Sequence, residues 1–226
     1  MGGVRRIGGL ATPIVVSTVI VALGTVISSV LSASISTDAA DFLAGGISQD
    51  EFEDAIVPLN SVQLLVSVAT LATGVLTIVW MFRIASNVRA FGRVTTWSPL
   101  FAIFGWFLPP LVLYIIPFLV LRELWKASEP AHVDGSDTWK RTPDTPLLWA
   151  WFVLFGLLPA ALFAIQVGSF ATGGMPTGDI ESVAESLDDF GAIGWITAAL
   201  NVAAAVVWVM FVRTLTRRHK QLTNET

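Results

Sequence analysis

The stretch Phe101–Leu121 reads FAIFGWFLPPLVLYIIPFLVL, and its reading sets how many times the chain crosses a membrane. It holds no Asp, Glu, Lys or Arg, and it has the roughly 20 apolar residues that a spanning helix needs. Yet Pro109 and Pro110 stand together at its centre. Two consecutive prolines remove two amide donors and crowd the preceding turn. The arms on either side, 100–108 and 111–121, each reach about half a bilayer at ~1.5 Å per residue. One reading is a single kinked spanning helix, because proline is tolerated in such helices. The other is a re-entrant helical hairpin that enters and leaves on one side.

The charges favour the hairpin. Five runs lack charged residues: 7–37, 55–82, 94–121, 145–178 and 190–212. All 13 Lys and Arg lie in four places: before the first run, and after the second, third and fifth. The loop after the first run holds Asp38, Asp41, Asp50, Glu51, Glu53 and Asp54 and no base. The loop after the fourth holds Asp179, Glu181, Glu185, Asp188 and Asp189, again with no base. If all five runs cross, the bases divide 5 to 8 across the membrane; if the third returns to its own side, they divide 13 to 0. Bases mark the cytoplasmic side. The sequence therefore predicts an all-α integral membrane protein with both termini cytoplasmic. Its four transmembrane helices are expected at 7–35, 57–82, 147–170 and 190–212. A cytoplasmic-side re-entrant helical hairpin occupies 99–121, broken at Pro109-Pro110, and a cytoplasmic linker spans 129–146. The first run is read as a retained helix, since its apolar stretch exceeds the ~7–15 residues of a signal-peptide core.

Composition agrees with this placement. The 226 residues are 54% hydrophobic and only 13% charged, against about a quarter charged in soluble domains, and the mean hydropathy is +0.72. Without Cys, disulfides, thiolate metal sites and Cys nucleophiles are excluded.

Both halves read spanning helix, acidic loop, spanning helix, basic exit, with Trp80 and Trp208 at matching places near Arg83 and Arg213. That allows a parallel two-helix repeat; the alternative is that any in-out-in helix pair looks so. Outside, Ser48-Gln49-Asp50-Glu51 is a capping box expected to start a short helix leading to Pro58. Thr37 is a candidate cap for another, stopped by Gly45-Gly46. Ile180, Val183, Ala184 and Leu187 fall at i, i+3, i+4 and i+7, the pattern of a short amphipathic helix. Gly24, Ser28 and Ser32 form a small-residue seam on the first helix, for packing within the chain or between two copies. Pro159 is expected to kink the fourth spanning helix.

No motif for metal, nucleotide or nucleophilic catalysis is present, so no catalytic residue, metal ligand or cofactor is assigned. His132 and His219 both fall in cytoplasmic polar segments. No acid lies deep in a crossing helix, and no His lies at membrane depth to activate a serine. Asn201 is the mid-membrane polar residue. Unusual residues gather on the cytoplasmic face: Arg83, Asn87, Arg89, Trp97, Trp106, Glu123 and Trp125 form the candidate cluster. Gly92 is expected to end the second helix. Glu123 is expected to pair with Arg83 or Arg89, completed by Asn87, pinning the hairpin to the second helix; Lys126 at i+3 is the local competitor.

The stretch Trp80 to Gly92, Trp97-Ser98-Pro99, Trp106-Phe107 with a following Pro, and Arg122-Glu123-Leu124-Trp125 together resemble a bacterial membrane family catalogued as domain of unknown function 4328. The resemblance covers about 60 to 210 and is densest over 80–128. It implies a bacterial plasma-membrane setting and no reaction. Family members often carry more polar residues than Val112–Ile116 has here. The leading expectation is a non-enzymatic interaction or regulatory component, and the alternative is a small transporter or channel subunit. Membrane lipids and an unknown membrane protein or a second copy are the expected partners, and nucleic acid is not.

Overall fold

The capping box forms: the Ser48 hydroxyl accepts from the Glu51 amide, and the Glu51 carboxylate accepts from the Ser48 amide. It starts a helix far longer than expected. The structure, a computed structural model, describes residues 4–107, 115–132, 136–158 and 179–225. In chain order these hold α1 (Gly8–Leu43), α2 (Gln49–Ala90) and α3 (Phe101–Phe104) with a 3-10 turn, Gly105–Phe107. Next come α4 (Ile115–Ala127), a 3-10 turn at Thr138–Arg141, and α5 (Pro146–Trp151), which continues as a π-helical turn, Phe152–Leu157. Last are α6 (Ile180–Asp188) and α7 (Gly191–Thr223). There is no strand among the described residues. The Pro109-Pro110 break, Pro159 and the part of the expected spanning helix 147–170 beyond residue 158 lie outside the described residues.

At ~1.5 Å per residue, the 36, 42 and 33 residues of α1, α2 and α7 measure about 50–60 Å. That exceeds a hydrocarbon core of ~30 Å, so each is long enough to span one and extend beyond it. Two expectations fail here for one reason. Thr37 caps nothing, because α1 runs through it to Leu43; and no short helix stops before Pro58, because α2 runs through it. The polar loop is reduced to 44–48, where Gly45 takes a left-handed φ of 76° and the Gly46 amide returns to the Asp41 carbonyl. Extending existing helices satisfies every backbone group that a separate short helix would have to cap afresh.

All three long helices are apolar enough to cross a membrane. At most 33% of each apolar window is buried inside the protein, and large side chains such as Leu64, Leu71 and Ile193 are 69%, 71% and 73% exposed. An apolar face of that extent is stable against lipid and not against water. The small-residue seam is used within the chain: a Cβ on Gly24 would sit 2.3 Å from a Val66 methyl, so α1 and α2 meet there closely.

The two ends of the bundle differ. At the acidic end, α6 lays Ala184 and Leu187 on Ile35, Ala39, Phe52 and Ile56, as its apolar spacing predicts. At the opposite end lies the larger core, with Trp80, Met81, Leu121, Leu124, Trp139, Leu148, Trp208 and Phe211. The larger buried core thus sits where the bases are. Gly92 ends α2 as expected, with a φ of 72° and its amide bonded to the Arg89 carbonyl.

Candidate functional site

The Gly92 turn throws Arg93 back under α4. Arg93 is fully buried, and its guanidinium donates to the carbonyls of Ala127 (2.7 Å), Glu129 (2.8 Å) and His132 (2.9 Å). Carbonyls at a helix C-terminus lack intrahelical donors and sit at the negative end of the helix dipole. One delocalised cation therefore caps α4 and fixes the chain that leaves it.

Beside it lies a sealed polar cluster. Asn87 is 1% exposed. Its Oδ1 accepts from the Arg5 amide and its Nδ2 donates to the Arg5 carbonyl, both at 2.8 Å. That paired contact fixes which way the amide points, because the reverse orientation would set like against like at both atoms. The second Nδ2 proton is then directed to His219 Nε2, 3.1 Å away. Nε2 must accept, so Nδ1 carries the ring proton and donates it to Ser128 Oγ at 3.0 Å. His219 and Ser128 are both fully buried. His219 lies two turns beyond the apolar segment 190–212. Burial pushes it down to about 4; nearby Glu225 opposes that shift and Arg93 adds to it. The Glu225 carboxylate accepts from the amides of Ile7 and Gly8, 3.0 Å each, capping α1 with the far end of α7.

Glu123 does not pair with Arg83 or Arg89. Its two oxygens accept from the backbone amides of Thr96 (2.6 Å) and Trp97 (3.0 Å). Arg83 donates instead to the Arg6 carbonyl, and Arg89 donates to Thr95 Oγ1 at 3.3 Å. Asn87 completes no contact with Glu123, being occupied by Arg5 and His219. The physical reason is competition: two loop amides present a carboxylate with matched donors at lower ordering cost than a long guanidinium. The consequence for the chain path is direct. The residues before α3 and the last turns of α4 lie in hydrogen-bond contact, and Gly105 sits so close to Ile116 that a Cβ would be 3.0 Å from its methyl. Segment 98–122 therefore begins and ends at the same end of the bundle.

Lys126 joins Arg122 on Asp144, at 3.2 and 2.8 Å. The Arg122 hydrogen bond, helped by Lys126, holds the Asp144 carboxyl below its usual range. Arg218 pairs with Glu129 and lies over the Trp125 ring, 4.2 Å from its centroid. Trp125 donates to the Pro143 carbonyl at 3.1 Å.

Arg83, Asn87, Arg89, Trp97, Glu123 and Trp125 thus gather at one end, while Trp106 and Asn201 sit deeper. Trp106 opens a chain of rings: Trp106–Trp151 at 6.4 Å, Trp151–Trp208 at 5.1 Å and Trp208–Trp80 at 6.4 Å. The two tryptophans of the suspected repeat are therefore in edge contact. Next to them is a hollow of about 420 Å³ between α1, α2 and α7, reached by Asn201. Its walls are apolar. Thr18, Thr25, Thr70 and Thr73 turn their hydroxyls back to carbonyls four residues earlier, and the Asn201 amide does the same to Thr197.

The sequence reading missed Arg93, Ser128, His219, Glu225 and Asp144. His219 carried a signal: Trp208, Phe211, Leu215, His219 and Leu222 recur at three and four residues, one buried helix face. Among the described residues, no group of three or more His, Cys, Asp or Glu is arranged to hold a metal ion.

The sequence model of a family described only as a domain of unknown function, DUF4328, matches residues 45–217. No curated protein and no solved structure matches the chain.

Proposed function

From a chain that belongs to the DUF4328 family, we propose a non-enzymatic interaction or regulatory component of the bacterial plasma membrane. In this reading four helices cross, segment 99–121 dips into the cytoplasmic leaflet and returns, and both termini face the cytoplasm. Its partners are membrane lipids and a second membrane protein or a second copy.

The observation that carries this reading is how the polar groups are used. The Ser128–His219 pair resembles a nucleophile with its base, but the polarity is reversed. His219 donates to the hydroxyl and so takes no proton from it. Asn87, Ser128, Arg93 and His219 are all sealed from solvent and serve to join α2, α4, α7 and the segment before α1. The hollow at Asn201 offers methyl groups where a solute path would need hydrated polar ones. The transporter or channel alternative draws on the paired Trp80 and Trp208 and on the returning segment, since broken helices line paths in many transporters.

Engineered cysteines test both parts, because the chain has no Cys of its own. A Cys at Ser182 should react with an impermeant reagent from outside, and one at Ser136 should not. The reverse pattern overturns the topology. A Cys at Asn201 should resist a small hydrophilic thiol reagent from either side. Rapid modification there would replace the interaction reading with the transport reading.

A further inference from the structure

A second hollow, of about 210 Å³, opens beside α4 at the basic end, between the Thr96–Trp97 loop and the turn at Trp139–Lys140. One face of α4 forms its floor: Leu119, then Arg122, then Lys126. These rise about 10 Å along the helix, from apolar to cationic, in the order in which a phospholipid passes from chain to headgroup. Lys140 supplies a third cation from the facing turn. Glu123 is the acid on the wall, and both its oxygens are occupied by the loop amides.

Three bases here, Arg122, Lys126 and Lys140, face three acids, Glu123, Asp144 and Asp137, so the charges balance in number but are unevenly paired. Asp144 is shared between Arg122 and Lys126, so one carboxylate faces two bases. Lys140 pairs with Asp137, whose side chain is 75% exposed, a contact that water screens. Trp139 lines the turn side of the hollow, and its indole N–H is buried with no hydrogen-bond partner among the described residues. The volume suits a headgroup-sized fragment and lies below that of a drug-sized pocket.

We propose that this hollow binds the phosphate of an anionic phospholipid headgroup, held by Lys126, Lys140 and Arg122 above Leu119. The proposal rests on the topology above, which puts this end at the cytoplasmic leaflet, where anionic lipid attracts juxtamembrane bases. A free phosphate ester shares the chemistry and is the other source to be separated.

The test uses the full chain in detergent, exchanged into micelles with phosphatidylglycerol or phosphatidylcholine, with retained lipid read by native mass spectrometry. The unsubstituted chain should retain phosphatidylglycerol in preference. Lys126→Gln with Lys140→Gln should cut that retention roughly thirtyfold, from two surface bases. Arg213→Gln with Arg217→Gln, exposed bases at the same end, should change it less than threefold. Lys140→Gln alone, at a 48% exposed side chain, keeps the fold and should cost about fivefold. Equal losses in the two double variants would reduce the effect to general surface charge and overturn the site. Displacement of the lipid by inorganic phosphate would overturn the lipid assignment in favour of a soluble ester. Failure of the topology is distinguishable, because it shows as outside labelling at residue 136 whatever lipid is retained.

Discussion

Replacing Arg93 by methionine keeps an unbranched apolar stem and deletes the guanidinium with its charge and donors. Three carbonyls then lose a partner. That of Ala127 is buried, and those of Glu129 and His132 are part-buried, so water replaces Arg93 at the latter two. An unsatisfied buried acceptor costs about 1–3 kcal/mol, and a bond to a charged donor contributes about 1.5–3 kcal/mol. Against this, removing a buried cation relieves its own desolvation. The balance is a net loss on the order of 3 kcal/mol. A chain of this length shifts by about 2–4 °C per kcal/mol, so the melting temperature should fall by roughly 6–12 °C. Fluorescence-detected gel filtration of the heated, detergent-solubilised protein reads this directly. Arg93→Lys should lie between, since an ammonium lacks the fork that spans several carbonyls. Arg89→Met is the control, an exposed base with one long bond to Thr95. If Arg93→Met lowers the melting temperature no more than Arg89→Met, Arg93 is not the cap of α4.

Glu123→Gln should destabilise the protein by about 1–2 kcal/mol through the amide of Thr96 or Trp97 left without an acceptor. A double-mutant cycle with Arg83→Gln should give a coupling near zero; a coupling above about 1 kcal/mol would restore the ion pair that the sequence suggested. His219 is held neutral in the folded protein down to a pKa of about 4, while the unfolded chain takes up its proton near 6.5. The unfolded state therefore binds more protons between those values, and stability rises with pH across that window by up to about 3 kcal/mol. His219→Gln should flatten this part of the profile. Asp144, held below the usual carboxylate range, contributes stability above the unfolded pKa of about 4 that is lost as pH falls further; Asp144→Asn should remove that acid limb in a melt series. Gly24→Ala forces a Cβ onto the Val66 methyl and should cost about 1–3 kcal/mol; an unchanged melt would mean that α1 and α2 separate freely there.

What the sequence disclosed was set by what periodicity and charge can encode. The segregation of bases from acids, the capping box at Ser48 and the apolar spacing of Ile180 to Leu187 are local patterns, and each reappears in the structure. The Gly92 stop was legible because a left-handed residue there requires glycine. The partners of Glu123 were not legible. Backbone amides are the same at every residue, so no letter marks Thr96 and Trp97 as donors, whereas arginines stand out and drew the assignment. Arg93 and Glu225 were missed for the related reason that each caps a helix distant in sequence. The lengths of α1 and α2 were underestimated because Thr37 and Pro58 are stop signals only when the chain has reason to turn, and here it has none.

The grip of Glu225 on the amides of Ile7 and Gly8 spans 217 and more positions, and it has a consequence for how the molecule is made. Ribosomes add about 5–20 residues per second, so those amides emerge some ten seconds or more before their acceptor exists. Through that interval the opening turn of α1 has only water or lipid headgroups for company, and Asn87 waits through a further 132 residues, some six seconds or more, for His219. The basic end is thus completed after α1 and α2 have been made, and any chain released before α7 is finished carries an open, unlatched face that quality-control proteases can recognise.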